Sequence, residues 1–161
     1  MNVWSIILSA LASFAGAWLA SKWALSSFYK QKVWERKLAA YTAIFEALHD
    51  MNKWFEKHLD EEKNKIGIPQ DELDELRKSY KVAQSDLQRR MDSDGWLLSI
   101  TCRNRVLDLH ESLRSSNFLE WGELVDYGNA ETRRAIRDLH GFARKDLDLD
   151  RPNVIKQIFA K

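Results

Sequence analysis

The residues whose spacing is best suited to chemistry are basic side chains that recur near the end of the sequence. They follow one another at intervals of four, three and four residues, which places them on one face of a helix: Arg133, Arg137, His140 and Arg144. Like charges at these intervals repel each other, so the row favours an external anion or acidic partners inside the protein. Arginine suits phosphate because its planar guanidinium donates paired hydrogen bonds. The pattern therefore predicts a site for a phosphate-rich ligand.

A further basic group lies earlier in the chain and consists of Arg103 and Arg105 together with Arg89 and Arg90. We expect it to form a second wall of the same anion site, with an ordinary surface position as the alternative. The whole row also has an alternative interpretation, a solvated face that is balanced by the protein's own carboxylates. The candidate internal partners are Glu131, Asp138, Asp146 and the acidic stretch 60–62.

Sequence motifs for catalysis or metal binding are not found. The four histidines are scattered, and the acidic neighbours of His110 do not share its helical face. The sequence has no His-Glu-x-x-His pair, no glycine-rich phosphate loop and no nucleophile elbow. Cys102 is the single cysteine, so it cannot form an internal disulfide and is expected to be a reduced, small apolar residue. We therefore expect a protein that is not an enzyme and that uses no metal or cofactor.

The charge balance argues against a general nucleic-acid-binding protein. The 161 residues carry 25 basic and 24 acidic side chains, which gives a net charge of +1. Proteins that bind duplex nucleic acid without sequence preference are usually strongly basic, so we expect no such partner.

The N-terminal segment is apolar, and the first charged side chain in the sequence is Lys22. A membrane-spanning helix needs roughly 20 predominantly apolar residues, and residues 3–20 meet that need. A cleaved signal peptide is disfavoured because no basic residue precedes the apolar run. A buried core helix is disfavoured because Trp4, Trp18 and Trp23 lie where interfacial aromatic residues are found. The sequence thus predicts a transmembrane anchor over residues 1–29 and a cytosolic helical domain over residues 30–161.

Basic residues follow the predicted span, and none precedes it. Because positive charge is retained in the cytoplasm, we expect a single-pass protein of the cell inner membrane, with its N-terminus outside and its C-terminal domain cytoplasmic. The lipid bilayer is then its first partner, through Lys22, Lys30, Lys32, Arg36 and Lys37.

Small residues recur on two adjacent stripes of the predicted span. Such stripes let helices approach closely in lipid, where packing and hydroxyl hydrogen bonds favour association. We expect a homo-oligomer that packs through them, with mere tolerance of small residues in a lone anchor as the alternative. The packing residues are Ser9, Ala12, Ser13, Gly16, Ala17 and Ala20.

Residues 30–62 contain neither glycine nor proline, which predicts a long helix that continues from the membrane span. Two apolar stripes lie side by side on it, so the helix should pack against other helices of its own domain. The first stripe is Trp34, Leu38, Tyr41, Phe45, Leu48, Asn52, Phe55 and Leu59, and the second is Ala40, Ile44, Ala47 and Met51.

Breaks in the pattern divide the rest of the chain. The segment 63–69 contains Gly and Pro and precedes a second predicted helix, to about Met91. The turn 92–95 precedes a third helix, to about Arg114, whose first six residues are alternatively a short strand.

The last predicted helices follow an aromatic-rich stretch, 117–128, which we expect to be irregular. Asn129 is a plausible N-cap, so a fourth helix is predicted from there to about Lys145. A short helix is expected after Pro152. The predicted fold class is therefore all-α, one N-terminal transmembrane helix continuing into a cytosolic helical bundle.

This layout of a short N-terminus, one membrane helix, a helical domain without catalytic motifs and an Arg-bearing helix resembles the small membrane-anchored accessory effectors of bacterial anti-phage defence. It is similar to those of type III CRISPR loci. The resemblance implies a homo-oligomer that alters membrane integrity when it binds a cyclic oligonucleotide. In those effectors the cyclic oligonucleotide is cyclic oligoadenylate. The alternative function is a membrane-tethered scaffold that recognises another protein through exposed aromatic residues such as Trp54 and Trp121. A hydrolase ranks third.

Overall fold

The computed structural model describes residues 3–65, 67–116 and 119–149, and within these ranges the side chains of Val3 and of residues 5–12 are outside the description. Helices make up this part of the chain. They are α1 (Val3–Asn64), α2 (Gln70–Asp94), α3 (Ile100–Ser115) and α4 (Trp121–Asp146), with a 3₁₀ turn over Gly95–Leu97. No strand occurs in the described ranges, so the predicted all-α fold is confirmed. The short strand considered for the start of the third helix is wrong.

The chain divides into two units, residues 1–36 and residues 37–161. In the first unit, residues 13–33 are all exposed on α1. They include large apolar side chains such as Phe14, which is 76% exposed, and Trp23, which is 83% exposed. In the ranges that the structure covers, no helix has a stretch both long and apolar enough to cross a membrane.

The small residues of the predicted packing stripes lie in this first unit. Ser13, Gly16, Ala17 and Ala20 are exposed, and an added Cβ at Gly16 would meet nothing within 4 Å. The side chains of Ser9 and Ala12 lie outside the described residues. The short helix expected after Pro152 does so too.

The second unit has its core along the C-terminal part of α1. Both predicted stripes of this helix are largely buried, since Tyr41, Ile44 and Leu48 are at most 1% exposed. Leu38 is the exception, at 39% exposed. The other helices contribute Leu87, Leu109 and further apolar side chains to the same core: Leu76, Ala83, Cys102, Val106, Val125, Ala135, Leu139, Ala143 and Leu147.

The turns between the helices have clear local causes. Lys65 adopts a left-handed conformation with φ 52° directly after α1. Pro69 is extended before α2, and its carbonyl accepts a hydrogen bond from the Leu73 amide at 2.9 Å. Ser99 is the N-cap of α3, because its hydroxyl accepts the Cys102 amide at 3.3 Å.

The start of α4 corrects a prediction. The helix begins at Trp121, so Asn129 lies inside it and is not its N-cap. Glu120 is the extended residue before the first turn, and its carbonyl accepts the Leu124 amide at 2.8 Å. Gly128 explains the longer helix, since the Phe55 ring of α1 packs directly against its Cα. Tertiary packing therefore stabilises a helical segment that the sequence analysis expected to be irregular.

A buried hydrogen-bond cluster joins three helices. The Tyr41 hydroxyl of α1 donates to the Asp146 carboxylate at the end of α4, and the Ser99 amide before α3 donates to the same oxygen at 2.9 Å. Burial raises the pKa of the Asp146 carboxyl, but the hydrogen bonds from Tyr41 and Ser99 outweigh it, so the pKa lies below its usual value. Burial also raises the pKa of the neighbouring Cys102 thiol to about 11, so this thiol is neutral at pH 7.

We expect Tyr41→Phe to lower the free energy of unfolding by about 1.5–2 kcal/mol at pH 7, because it removes a buried hydrogen bond to a charged group. The lowered pKa of Asp146 stabilises the fold above the unfolded-state value of about 3.9, and this stabilisation is lost as the pH falls through the folded-state pKa. The difference between the two proteins should therefore shrink below about pH 4. Urea unfolding of both proteins at several pH values measures this difference in the free energy of unfolding. Tyr127→Phe, at a side chain 38% exposed, is the control.

Candidate functional site

The basic row of α4 lies beside α1. The Arg133 guanidinium donates to the Glu56 carboxylate of α1 at 2.6 Å. This hydrogen bond holds the pKa of Glu56 below its usual range, against a smaller opposing effect of burial. His140 stacks on the Phe45 ring, with centroids 4.3 Å apart and an angle of 20° between the planes. Two of the four residues in the row therefore already contact α1.

The other two residues of the row are exposed. Arg137 makes no ion pair with any residue in the described ranges, and Arg144 is exposed near the end of α4. The part of the row that can meet an external anion is therefore centred on Arg137.

Arg105 lies on the opposite flank of α4. It is only 13% exposed, and it donates to Asp138 at 2.8 Å and to Glu131 at 3.5 Å. Glu131 also binds Arg134 at 2.5 Å. The buried side chains of α4 separate this cluster from Arg133, and Arg103 is exposed on α3. The structure therefore does not bring Arg105 to the row that contains Arg137.

A cavity of about 400 Å³ lies in the second unit, and all four helices line it. Trp54 of α1 and Trp121 of α4, which the sequence suggested as exposed recognition residues, are both in its wall. Pockets of this size accommodate small organic ligands. The lining residues are Trp54, Phe55, Tyr80, Gln84, His110, Leu113, Arg114, Ser116, Trp121, Leu124 and Val125. We refer to this cavity as the aromatic pocket.

Ring contacts hold the walls of the aromatic pocket. The Trp54 and Tyr80 rings lie 5.6 Å apart, and Phe55 meets Tyr80 edge to face at the same distance. Burial raises the pKa of Tyr80 to about 12, and the hydroxyl of Tyr80 accepts a hydrogen bond from the Gln84 amide at 3.2 Å. These contacts fix the aromatic surfaces before any ligand arrives.

His58 supports the pocket from behind. Its imidazole meets Trp54 edge to face at 4.2 Å and Trp121 at 5.0 Å, and the side chain is 5% exposed. Nδ1 lies 3.2 Å from the Glu61 carboxylate, whereas Nε2 has no hydrogen-bond partner among the described residues. The ring therefore works as a spacer that sets the positions of both indoles.

The rim of the aromatic pocket carries basic groups from α3. His110 and Arg114 are one helical turn apart and both line the cavity. The Arg114 side chain is 70% exposed, and it meets Glu111 of the preceding turn at 3.1 Å. An exposed pair of this kind is weak, so the guanidinium can exchange this partner for another anion.

The described residues offer no second chemistry at either place. No group of three His, Cys, Asp or Glu side chains is arranged there to hold a metal ion. Sequence reasoning named the two tryptophans but missed His58, Tyr80 and Arg114. The i, i+4 spacing of Trp54 and His58 was a signal for one wall; nothing local indicated that Tyr80 of α2 would join them.

Comparison of the chain with protein-family models, with known proteins and with solved structures gives no match in any of the three.

Proposed function

We propose that this chain is a membrane-anchored, non-catalytic binding protein, in which the first unit is the anchor and the helical domain recognises a ligand. The observation that carries the proposal is the aromatic pocket, in which α1, α2 and α4 place large rings around one cavity that α3 also lines. A rigid, mostly apolar cavity with a few polar groups at its rim is the usual form of a ligand site.

The anchor rests on the first part of α1. No charged side chain precedes Lys22, and large apolar side chains are exposed on several faces of the helix, including Phe14, Trp18, Leu19 and Trp23. Large apolar side chains exposed in this number favour an apolar environment, because in water their surface would remain uncovered. A bilayer provides that environment.

Vesicle flotation of the full chain tests the anchor. A charge within a spanning helix costs roughly 2.5–3.5 kcal/mol, so the double variant Phe14→Asp with Leu19→Asp should reduce the ratio of vesicle-bound to free protein by at least about 10-fold. Val82→Asp with Leu107→Asp is the matched control, because these two apolar side chains of the second unit are also about half exposed. Equal flotation of both double variants would refute the anchor.

A role as a ligand-gated effector in antiviral defence is a second candidate, and the observation that favours it is Arg137. This exposed guanidinium has no ion pair in the described part of the chain and lies in a row of basic residues. A cyclic oligonucleotide held there, shared between copies of the chain, would act only if it binds one helix arrangement better than another. Membrane disruption is the output that we propose for it.

Thermal unfolding of the full chain in detergent, with and without cyclic oligoadenylate, tests this second role. Binding to the folded state should raise the melting temperature by mass action, and Arg137→Glu should abolish the rise. Arg77→Glu, at an exposed arginine of α2 outside both basic groups, should leave it unchanged. If the melting temperature still rises in Arg137→Glu, the ligand does not bind at Arg137. If it does not rise in the wild type, cyclic oligoadenylate is not the ligand.

A further inference from the structure

We infer that the aromatic pocket binds a small planar aromatic ring that carries one carboxylate, with the ring against the aromatic walls and the carboxylate on Arg114. The inference rests on the proposed function, since it assigns a ligand class to the same pocket. It follows from the shape of the walls, the charge at the rim and the volume of the cavity.

The walls select a flat ring. Trp54, Tyr80 and Trp121 present aromatic faces or edges, and such surfaces favour stacked or edge-to-face contact with another ring. The rings are already fixed, because Tyr80 meets both Trp54 and Phe55, and His58 meets both indoles. A ligand therefore orders few side chains when it binds.

The rim selects a single negative charge. Arg114 is the one arginine among the lining residues, and its present partner Glu111 is an exposed carboxylate on the same helix. A guanidinium binds a carboxylate through two parallel hydrogen bonds, so a ligand carboxylate can replace Glu111 in the same geometry. A phosphate dianion would need more positive charge than Arg114 supplies beside Glu111. His110 and Gln84 supply further polar groups within the wall.

The volume sets the size of the ring. A cavity of about 400 Å³ is near the lower end of the range for small-molecule sites. A bicyclic ring with a short acidic side chain fits that range, and indole-3-acetate is a suitable probe of this class.

Isothermal titration of the full chain in detergent with indole-3-acetate and with neutral indole is the experiment. Indole-3-acetate should bind about 10-fold more tightly than indole, because only the acid reaches the guanidinium. Arg114→Gln should reduce that preference to about 2-fold or less, and Trp121→Ala should weaken the binding of both probes. Both side chains are exposed by more than half, so neither substitution removes core packing.

The matched control is Arg89→Gln. Arg89 is 69% exposed and pairs with an acidic residue three positions away, as Arg114 does at 70% exposed, but it lies outside the pocket. Its substitution should leave the preference for the acid intact. If both variants reduce the preference equally, the effect is one of net charge and the inference fails.

The remaining outcomes separate the ligand class from the proposed function. Equal binding of acid and indole, lost in Trp121→Ala, would overturn the carboxylate and leave the pocket as a binding site. Tighter binding of adenosine monophosphate than of the acid would overturn the single negative charge. No binding of any probe would overturn the inference, while the anchor is judged by flotation alone.

Discussion

We expect Arg105→Gln to lower the free energy of unfolding by about 2 kcal/mol, as for the loss of a partly buried hydrogen bond between charged groups. Arg105 is 13% exposed and joins α3 to α4 through Asp138 at 2.8 Å and Glu131 at 3.5 Å. Removing Arg105 leaves the mostly buried Glu131 with one cation fewer, which costs more than losing a surface pair, whereas Asp138 is 42% exposed and stays hydrated. Glu131 is 12% exposed and would keep only Arg134, so the penalty falls mainly on it.

Urea unfolding of the full chain in detergent measures this loss, and Arg103→Gln is the control. Arg103 precedes Arg105 by two residues on α3 and is exposed, so its substitution should change the free energy by less than about 0.5 kcal/mol. A loss below about 1 kcal/mol for Arg105→Gln would show that the pair contributes little.

Helices were predictable from the sequence because their apolar residues recur with the helical period. Both stripes of α1 predicted the buried face that Tyr41, Ile44 and Leu48 now occupy. The break before α2 was predictable as well, because Pro69 cannot donate an amide hydrogen bond inside a helix. These signals are local, so a single sequence contains them.

The start of α4 was not predictable in the same way. Gly122 and Gly128 weaken a helix in isolation, and Asn129 is a good N-cap, so local preference favoured a later start. The contact between Gly128 and Phe55 joins residues far apart in the sequence and reverses that preference. Tertiary packing of this kind cannot be recognised from a local sequence pattern.

The candidate sites show the same limit. The spacing of the basic residues correctly indicates one face of one helix, but it does not reveal that Glu56, 77 residues earlier, binds Arg133. The aromatic pocket likewise depends on how four helices meet. Residue types identified Trp54 and Trp121 as candidates, and only the packing of the helices shows that they line one cavity.

Two glycines of α4 should respond in opposite directions to the same substitution. At Gly128, an added Cβ would come within 3.0 Å of three carbon atoms of the Phe55 ring, a contact that real side chains do not make. Phe55 is 4% exposed and packs on Tyr80, so it cannot move aside freely. We expect Gly128→Ala to lower the free energy of unfolding by about 2 kcal/mol, because overpacking outweighs the gain in helix propensity.

Gly141 provides the matched control, since it lies in the same helix, is exposed, and has no atom within 4 Å of an added Cβ. Gly141→Ala should raise the free energy of unfolding by up to about 1 kcal/mol, because alanine loses less backbone entropy on folding. Urea unfolding of the full chain in detergent compares the two variants.

Adding Phe55→Leu to Gly128→Ala tests the cause directly, because a smaller side chain removes the overlap. The double variant should then lose less free energy of unfolding than the sum of the two single losses. Strictly additive losses would contradict the contact between Gly128 and Phe55, and with it the packing argument for where α4 begins.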